Sequence, residues 1–286
     1  MDAFLALVPL LVFVLWALLH LGRFRWRNRG RTDWGHDRGG SALLPASLRA
    51  WWLEEIAPMV DWLVRAGVRA DHVTWLGTAF SFGAAAAFGL RAFVVGGYVL
   101  LVGGICDILD GHVARRSGQA SLRGAFLDSS LDRYADMAVL IGLAVAFREG
   151  WVGLVALVAL VGAVMTSYAR ARAEGLGLAC RGGLMQRPER IVVIGFAAIL
   201  DPALSAGLRA VAGTEGEVFL ALAVTVMAVL VNGTAAARVR TTWLLLRERE
   251  RAAAAAAAAA PPPGGGQPVR AADQAAAAPS PPATRG

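Results

Sequence analysis

Seven predominantly apolar runs, each close to the ~20 residues a helix needs to cross a bilayer, limit what this chain can fold into. The first is 3–21 (AFLALVPLLVFVLWALLHL), and the others fall at 73–90, 92–109, 126–147, 151–168, 190–208 and 217–237. Of the 286 residues 57% are hydrophobic and only 17% charged, at a mean hydropathy of +0.54. A soluble domain of this length carries far more charge, so an integral membrane protein is expected. The first run lacks a basic flank on its N-terminal side and a small-residue cleavage site, and reads as a signal anchor.

The arginines set the orientation. The net charge is +7 and every basic residue is arginine. They lie in short loops between apolar runs, which argues for the positive-inside rule and against nucleic-acid binding. Arg23, Arg25, Arg27, Arg29 and Arg31 hold the C-terminal end of the first run in the cytoplasm, with the N-terminus outside. The turns near Arg91, near Arg148 and across 209–216 then face outward. The loops holding Arg115, Arg116, Arg123, Arg170, Arg172, Arg181, Arg187 and Arg190 face inward, as does the C-terminal end. Arg181 and Arg187 are read as ordinary topological charges. Cys106 and Cys180 are too few and too differently placed for a disulfide framework, and read as small packing residues.

Between the first run and the rest lies 46–67, where Leu48, Trp51, Trp52, Ile56, Met59, Val60, Leu63 and Val64 recur at helical spacing with charges between them. This is the pattern of an amphipathic helix in the membrane interface. The expected architecture is all-α integral membrane. It comprises an extra transmembrane helix (1–22), a basic cytoplasmic linker (23–45), the interfacial helix (46–67), a six-helix transmembrane core (68–245) and a disordered Ala/Pro/Gly tail (246–286).

Charges inside spans are costly and mark function, and here they cluster. One span ends CDILDGHVARRSG and the next begins GAFLDSSLDRYAD. Asp107 and Asp110, three apart, share a helix face; so do Asp128 and Asp132, four apart, with Asp136 one turn deeper. Carboxylates gathered in low dielectric require cations. Oxygen ligands without His or Cys favour Mg²⁺ or Mn²⁺, and two carboxylate pairs suit two ions in a phosphoryl-type displacement. Arg115 and Arg116, with Gly111 and Gly124 permitting close approach, suit a diphosphate. A salt-bridge network of these aspartates with Arg115, Arg116 and Arg133 is the bland alternative.

The stretch Asp107 to Asp132 reads D-x2-D-G-x2-A-R-x8-G-x3-D-x3-D, which resembles the signature of the CDP-alcohol phosphatidyltransferase family at all eight fixed positions: Asp107, Asp110, Gly111, Ala114, Arg115, Gly124, Asp128 and Asp132. The likeness runs over about 46–245. The resemblance implies that Asp107, Asp110, Asp128 and Asp132 bind two Mg²⁺ or Mn²⁺ ions and that Asp132 is the general base. It also implies that Asp110, Gly111, Ala114, Arg115 and Gly124 line the CDP site. Where the family has a Pro-Asn pair just before a Thr, this chain has Ala70-Asp71 and then Thr74, which places Asp71 and Thr74 at the nucleotide. The implied reaction is attack of an alcohol on the lipid-linked phosphate of CDP-diacylglycerol, with CMP leaving. A cell-membrane homodimer with the site facing the cytoplasm is implied as well.

Within the family, TSYARARAEG and GGLMQRPERIVV resemble the prokaryotic branch that uses inositol 1-phosphate. The matching positions are Ser167, Arg170, Arg190 and Arg238, with Arg170 standing where a lysine is often found. These imply a pocket for a polyol phosphate. The alternatives are glycerol 3-phosphate as acceptor, a divalent-cation transporter with carboxylates on its ion path, and an inactive scaffold.

Overall fold

The computed structural model describes residues 2–29, 46–180, 182–212 and 216–259. Their regular structure is entirely helical: α1 Asp2–Arg27, α2 Ala46–Arg65, α3 Ala70–Gly89, α4 Phe93–Arg116, α5 Leu122–Ala146, α6 Trp151–Gly175, α7 Arg187–Ala212 and α8 Val218–Ala259. Most of the expected linker, the tail beyond residue 259 and Arg181 lie outside the described residues. The helices α1, α4, α6, α7 and α8 are long and apolar enough to cross a membrane. Two expected spans fall short of that measure for different reasons. In α3 the run is diluted by Gly77, Thr78, Ser81 and Gly83, and in α5 it is broken by Arg123, Asp128, Asp132, Arg133 and Asp136. Both pack within the bundle, α3 against α4 and α5, and α5 against α6.

Two boundaries differ from expectation. The α1 helix continues through the arginines to Arg27, so the linker begins later than residue 23. Helix α8 runs on from the apolar span through Arg247–Arg251 and the alanines to Ala259. Residues 246–259 are therefore helix, not the disordered tail expected. Alanine has the highest intrinsic helix propensity, and arginine and glutamate are close behind. Residues 1–243 form one compact unit, and a second begins at Leu244.

Helices in lipid gain little from apolar contact alone and associate through close backbone approach and interhelical hydrogen bonds. This bundle does both. A Cβ on Gly97 of α4 would sit 2.7 Å from the Gly195 carbonyl oxygen of α7, and one on Gly77 of α3 would sit 3.0 Å from Cys106 Cβ of α4. A Cβ on Gly142 of α5 would collide with the Ala85 carbonyl of α3. Between α6 and α8, Thr166 Oγ1 donates to the Val231 carbonyl (3.2 Å) and Asn232 Nδ2 to the Val158 carbonyl (3.0 Å). The α2 helix turns Trp51, Ile56 and Val60 inward, its Ile56 and Val60 meeting Leu109 and Val113 of α4, and leaves Met59 and Trp62 exposed. It is tied to α4 by an Arg116–Asp61 ion pair (2.8 Å) and to α1 by His20–Glu55 (3.1 Å).

The end of the bundle remote from the aspartates is pinned by two clusters of polar contacts. Arg91 holds a left-handed backbone conformation (φ 61°), unusual for a residue with a side chain. Its guanidinium donates to the Ala146 carbonyl (3.0 Å) and pairs with Glu217 (2.9 Å). Nearby, buried Asp201 of α7 accepts from the Leu220 amide (2.9 Å) and from Ser205 Oγ (2.6 Å), while Ser205 Oγ accepts from the Phe219 amide (2.9 Å). Two otherwise orphaned amides at the start of α8 are thus satisfied. Replacing Asp201 by Ala should cost about 1–2 kcal/mol by removing the cap, and Asp201→Asn should cost less because it keeps an acceptor. Thermal unfolding of the detergent-solubilised protein checks this; equal midpoints for wild type and Asp201→Ala would overturn it.

Candidate metal and phosphate site

The chain reverses between α4 and α5 over Ser117–Ser121, with Gly118 in a left-handed conformation (φ 69°). Ser121 caps α5 by accepting from the Gly124 amide (3.1 Å). After this short, capped turn α3 packs against both α4 and α5, and the helical spacing aims the carboxylates in the last three turns of α4 and the first three of α5 at each other. Asp107, Asp128 and Asp132 can each place an oxygen within 4.8 Å of the others'. Asp128 Oδ1 is buried without a hydrogen-bond partner, a costly state for a carboxylate oxygen unless a cation claims it. Three hard oxygen donors, one of them orphaned, fit a divalent ion such as Mg²⁺ or Mn²⁺.

Asp110, the fourth aspartate expected here, is not one of that trio. It is 5% exposed and accepts from Thr74 Oγ1 at 2.7 Å, which joins two expected nucleotide-site residues across α3 and α4. The remaining nucleotide-site residues form a rim. A Cβ on Gly111 would lie 3.3 Å from Arg115 Nη1, and one on Gly124 would lie 3.8 Å from Asp71 Oδ1. The absence of side chains at these glycines leaves room for Arg115 to lie along α4 and for Asp71 to approach α5. Asp71 also stands near Arg69 (3.7 Å) and Arg123 (3.6 Å). Ala114 is half-buried on α4, and Arg115 is exposed.

The cation facing the carboxylates is not one of the arginines expected from the bland alternative. Arg116 turns to Asp61, and Arg133 donates to the Ser129 carbonyl of its own helix. Arg187, read from sequence as a topological charge, instead reaches in from the first turn of α7. It pairs with Asp107, with Asp132 (3.0 Å) and with Asp136 (3.4 Å). Arg190, three residues on and on the same face, pairs with Asp136 and donates to the Met185 carbonyl (3.3 Å). The i, i+3 spacing of Arg187 and Arg190 was the one signal in the sequence that both could face the same way.

The other expected acceptor residues lie around Arg190. Arg238 of α8 donates to the Thr166 carbonyl (2.8 Å) and the Gly182 carbonyl (2.8 and 3.1 Å), clasping α6 and the α6–α7 loop. Arg170, Arg190 and Glu174 are close enough to act on it electrostatically. Arg170 is exposed and pairs with Glu174 (2.9 Å), while Ser167 is half-buried next to Thr166. Arg190 links this group of arginines to the carboxylates through its ion pair with Asp136.

A profile described as CDP-alcohol phosphatidyltransferase matches residues 68–213. An archaetidylinositol phosphate synthase of Methanothermobacter thermautotrophicus is 39% identical over 140 residues, covering 49% of this chain and 69% of that protein. A phosphatidylinositol phosphate synthase of Mycobacterium tuberculosis is 38% identical over 178 residues, covering 58% of this chain and 82% of that protein. Crystal structures of a phosphatidylinositol phosphate synthase from Mycobacterium tuberculosis are similar as well. With CDP-DAG bound, the TM-score is 0.55 at 32% identity over 65% of this chain and 92% of that one. With manganese and citrate, the TM-score is 0.57 at 31% identity over 65% and 88%.

Replacing Asp128 by Asn should weaken Mn²⁺ binding to the full-length protein by at least about ten-fold, since it removes a charged oxygen ligand. Asp61→Asn on α2, outside the cluster, should leave it unchanged. Calorimetric titration in detergent separates the two, and equal affinities for both variants would remove Asp128 from the site.

Proposed function

The chain belongs to the CDP-alcohol phosphatidyltransferase family and is a multi-pass membrane transferase, and from that premise we propose that it moves a phosphatidyl group from CDP-diacylglycerol to inositol 1-phosphate in phospholipid biosynthesis. The observation that carries the acceptor is the gathering of Arg170, Arg190 and Arg238 beside Ser167, at the edge of the carboxylate cluster. A phosphate there meets several guanidinium groups, which bind phosphate through charge-assisted and bidentate hydrogen bonds. The names of the related synthases agree with it.

In this reading Asp107, Asp110, Asp128 and Asp132 hold two ions, Mg²⁺ or Mn²⁺, against the donor's diphosphate. When bound, the ions supply charge neutralisation for the departing CMP. Asp71, Thr74, Gly111, Ala114, Arg115 and Gly124 seat the CDP moiety, with Thr74 fixing the Asp110 carboxylate through its hydroxyl. Asp132 takes the proton from the acceptor hydroxyl. That oxygen bonds to the lipid-linked phosphorus, the bond from this phosphorus to the bridging oxygen breaks, and CMP leaves with the electron pair. Arg190, anchored on Asp136, holds the acceptor phosphate so that the hydroxyl points toward Asp132. We place the site at the cytoplasmic face of the cell membrane, because the arginine-rich loops lie on its side, and we place two chains in the active assembly on the family resemblance. The division into an extra span, an interfacial helix and a catalytic core over 68–245 is part of the same proposal.

Full-length protein in detergent with Mn²⁺ and CDP-diacylglycerol should release CMP on addition of inositol 1-phosphate, and much less with glycerol 3-phosphate, serine or free inositol. Asp132→Asn should slow turnover by at least about 10²-fold, and Arg190→Gln should raise the KM for inositol 1-phosphate more than that for the donor. Turnover with glycerol 3-phosphate alone would overturn the acceptor, and no CMP with any acceptor would overturn the donor.

A further inference from the structure

Arg187 occupies the place where the carboxylate cluster needs positive charge. Its side chain is 16% exposed and forms ion pairs with three aspartates, Nη1 with Asp107, Nη2 with Asp132 and Nε with Asp136, although Nη1 and Nε make no hydrogen bond. Two of these, Asp107 and Asp132, belong to the trio whose oxygens converge within 4.8 Å. A divalent ion among these aspartates would meet the Arg187 guanidinium at close range on two of the same carboxylates, and the two cations repel. The third aspartate lies outside the trio, one turn deeper on α5, and already binds Arg190. Next to it is a small cavity of about 10 Å³ lined by Ser81, Ala135, Asp136, Arg187, Arg190 and Ile191 among others. The guanidinium therefore has a second acceptor on the side away from the trio.

From this geometry we propose that Arg187 is the resident cation of the metal-free site, and that a divalent ion enters by exchange, displacing the guanidinium from Asp107 and Asp132 onto Asp136. Metal binding is then a swap between two cations on one set of oxygens. The cluster keeps its shape without metal because Arg187 screens the repulsion among its aspartates. Asp136 acts as the receiving carboxylate, a positioning residue with no contact to the ion. The inference rests on the metal-site reading above and adds to it a competitor and the place to which that competitor withdraws.

The exchange has a thermodynamic signature that a purely structural arginine lacks. The probe is Mn²⁺, titrated into the full-length protein in detergent and read by the electron paramagnetic resonance signal of the free ion. Arg187→Gln should tighten Mn²⁺ binding by at least about ten-fold, because the ion no longer displaces a charge. Asp136→Asn should weaken it in the wild-type background, where the displaced guanidinium loses its acceptor. In the Arg187→Gln background the same Asp136→Asn change should have much less effect, a coupling of at least about five-fold in the double-mutant cycle. Simple through-space attraction between Asp136 and the ion predicts the same loss in both backgrounds and would overturn the proposal, as would unchanged or weaker binding by Arg187→Gln. Arg187→Lys keeps a displaceable charge and should stay near wild type; if the Gln variant fails to fold, tightening by Lys to the level expected of Gln sinks the exchange. Failure of the wild type to bind Mn²⁺ would instead remove the metal-site reading, and the exchange with it.

Discussion

Buried carboxylates must be paired with positive charge, and the arrangement of this bundle follows from that requirement. Asp107, Asp128 and Asp132 converge at the ends of two helices in a protein that otherwise keeps charge at its margins. Unpaired, they would repel one another in a medium that screens poorly. The structure answers with a third helix, α7, whose first turn brings Arg187 and Arg190 to Asp107, Asp132 and Asp136. The contact between α4 and α7 is therefore electrostatic at one end. Further along it is steric, where Gly97 and Gly195 let the backbones approach.

The same economy governs how the site is shaped. Gly111 and Gly124 leave space where a Cβ would come within 3.3 Å of Arg115 and 3.2 Å of Ser121 Oγ, and the Thr74 hydroxyl orients Asp110. Arg238 clasps the α6–α7 loop through the Gly182 carbonyl and α6 through the Thr166 carbonyl. A side chain proposed to bind the acceptor thus also satisfies backbone carbonyls of α6 and the α6–α7 loop.

What could be read from the sequence was local. The facing of Asp107 with Asp110 and of Asp128 with Asp132 follows from spacings of three and four; the short turn between them suggests direct neighbours, whereas the helix packed against both α4 and α5 is α3. The seven apolar runs likewise announce helices by length and composition. The placing of Arg187 was not legible, because it depends on α7 packing against α4, a contact separated by some eighty residues of chain that no periodicity encodes. A positive charge in a loop after a span has a sufficient explanation in topology, and that explanation hid the second one. Nor did the aspartate spacing distinguish Asp110, which turns to a threonine hydroxyl, from the three that converge. The nine alanines after Arg251 suggest that the last helix extends past its apolar span, and α8 does run to Ala259.

The two ends of the bundle are held by different kinds of contact. At one end Arg91 is locked in a left-handed turn between the Ala146 carbonyl and Glu217, and Asp201 is fixed by the start of α8. Most of these contacts involve backbone groups. At the other end the helices meet through ion pairs that any incoming cation or phosphate can rearrange. A bundle fastened this way resembles a pair of tongs riveted at the handle, its carboxylate tips joined across helices by side-chain ion pairs.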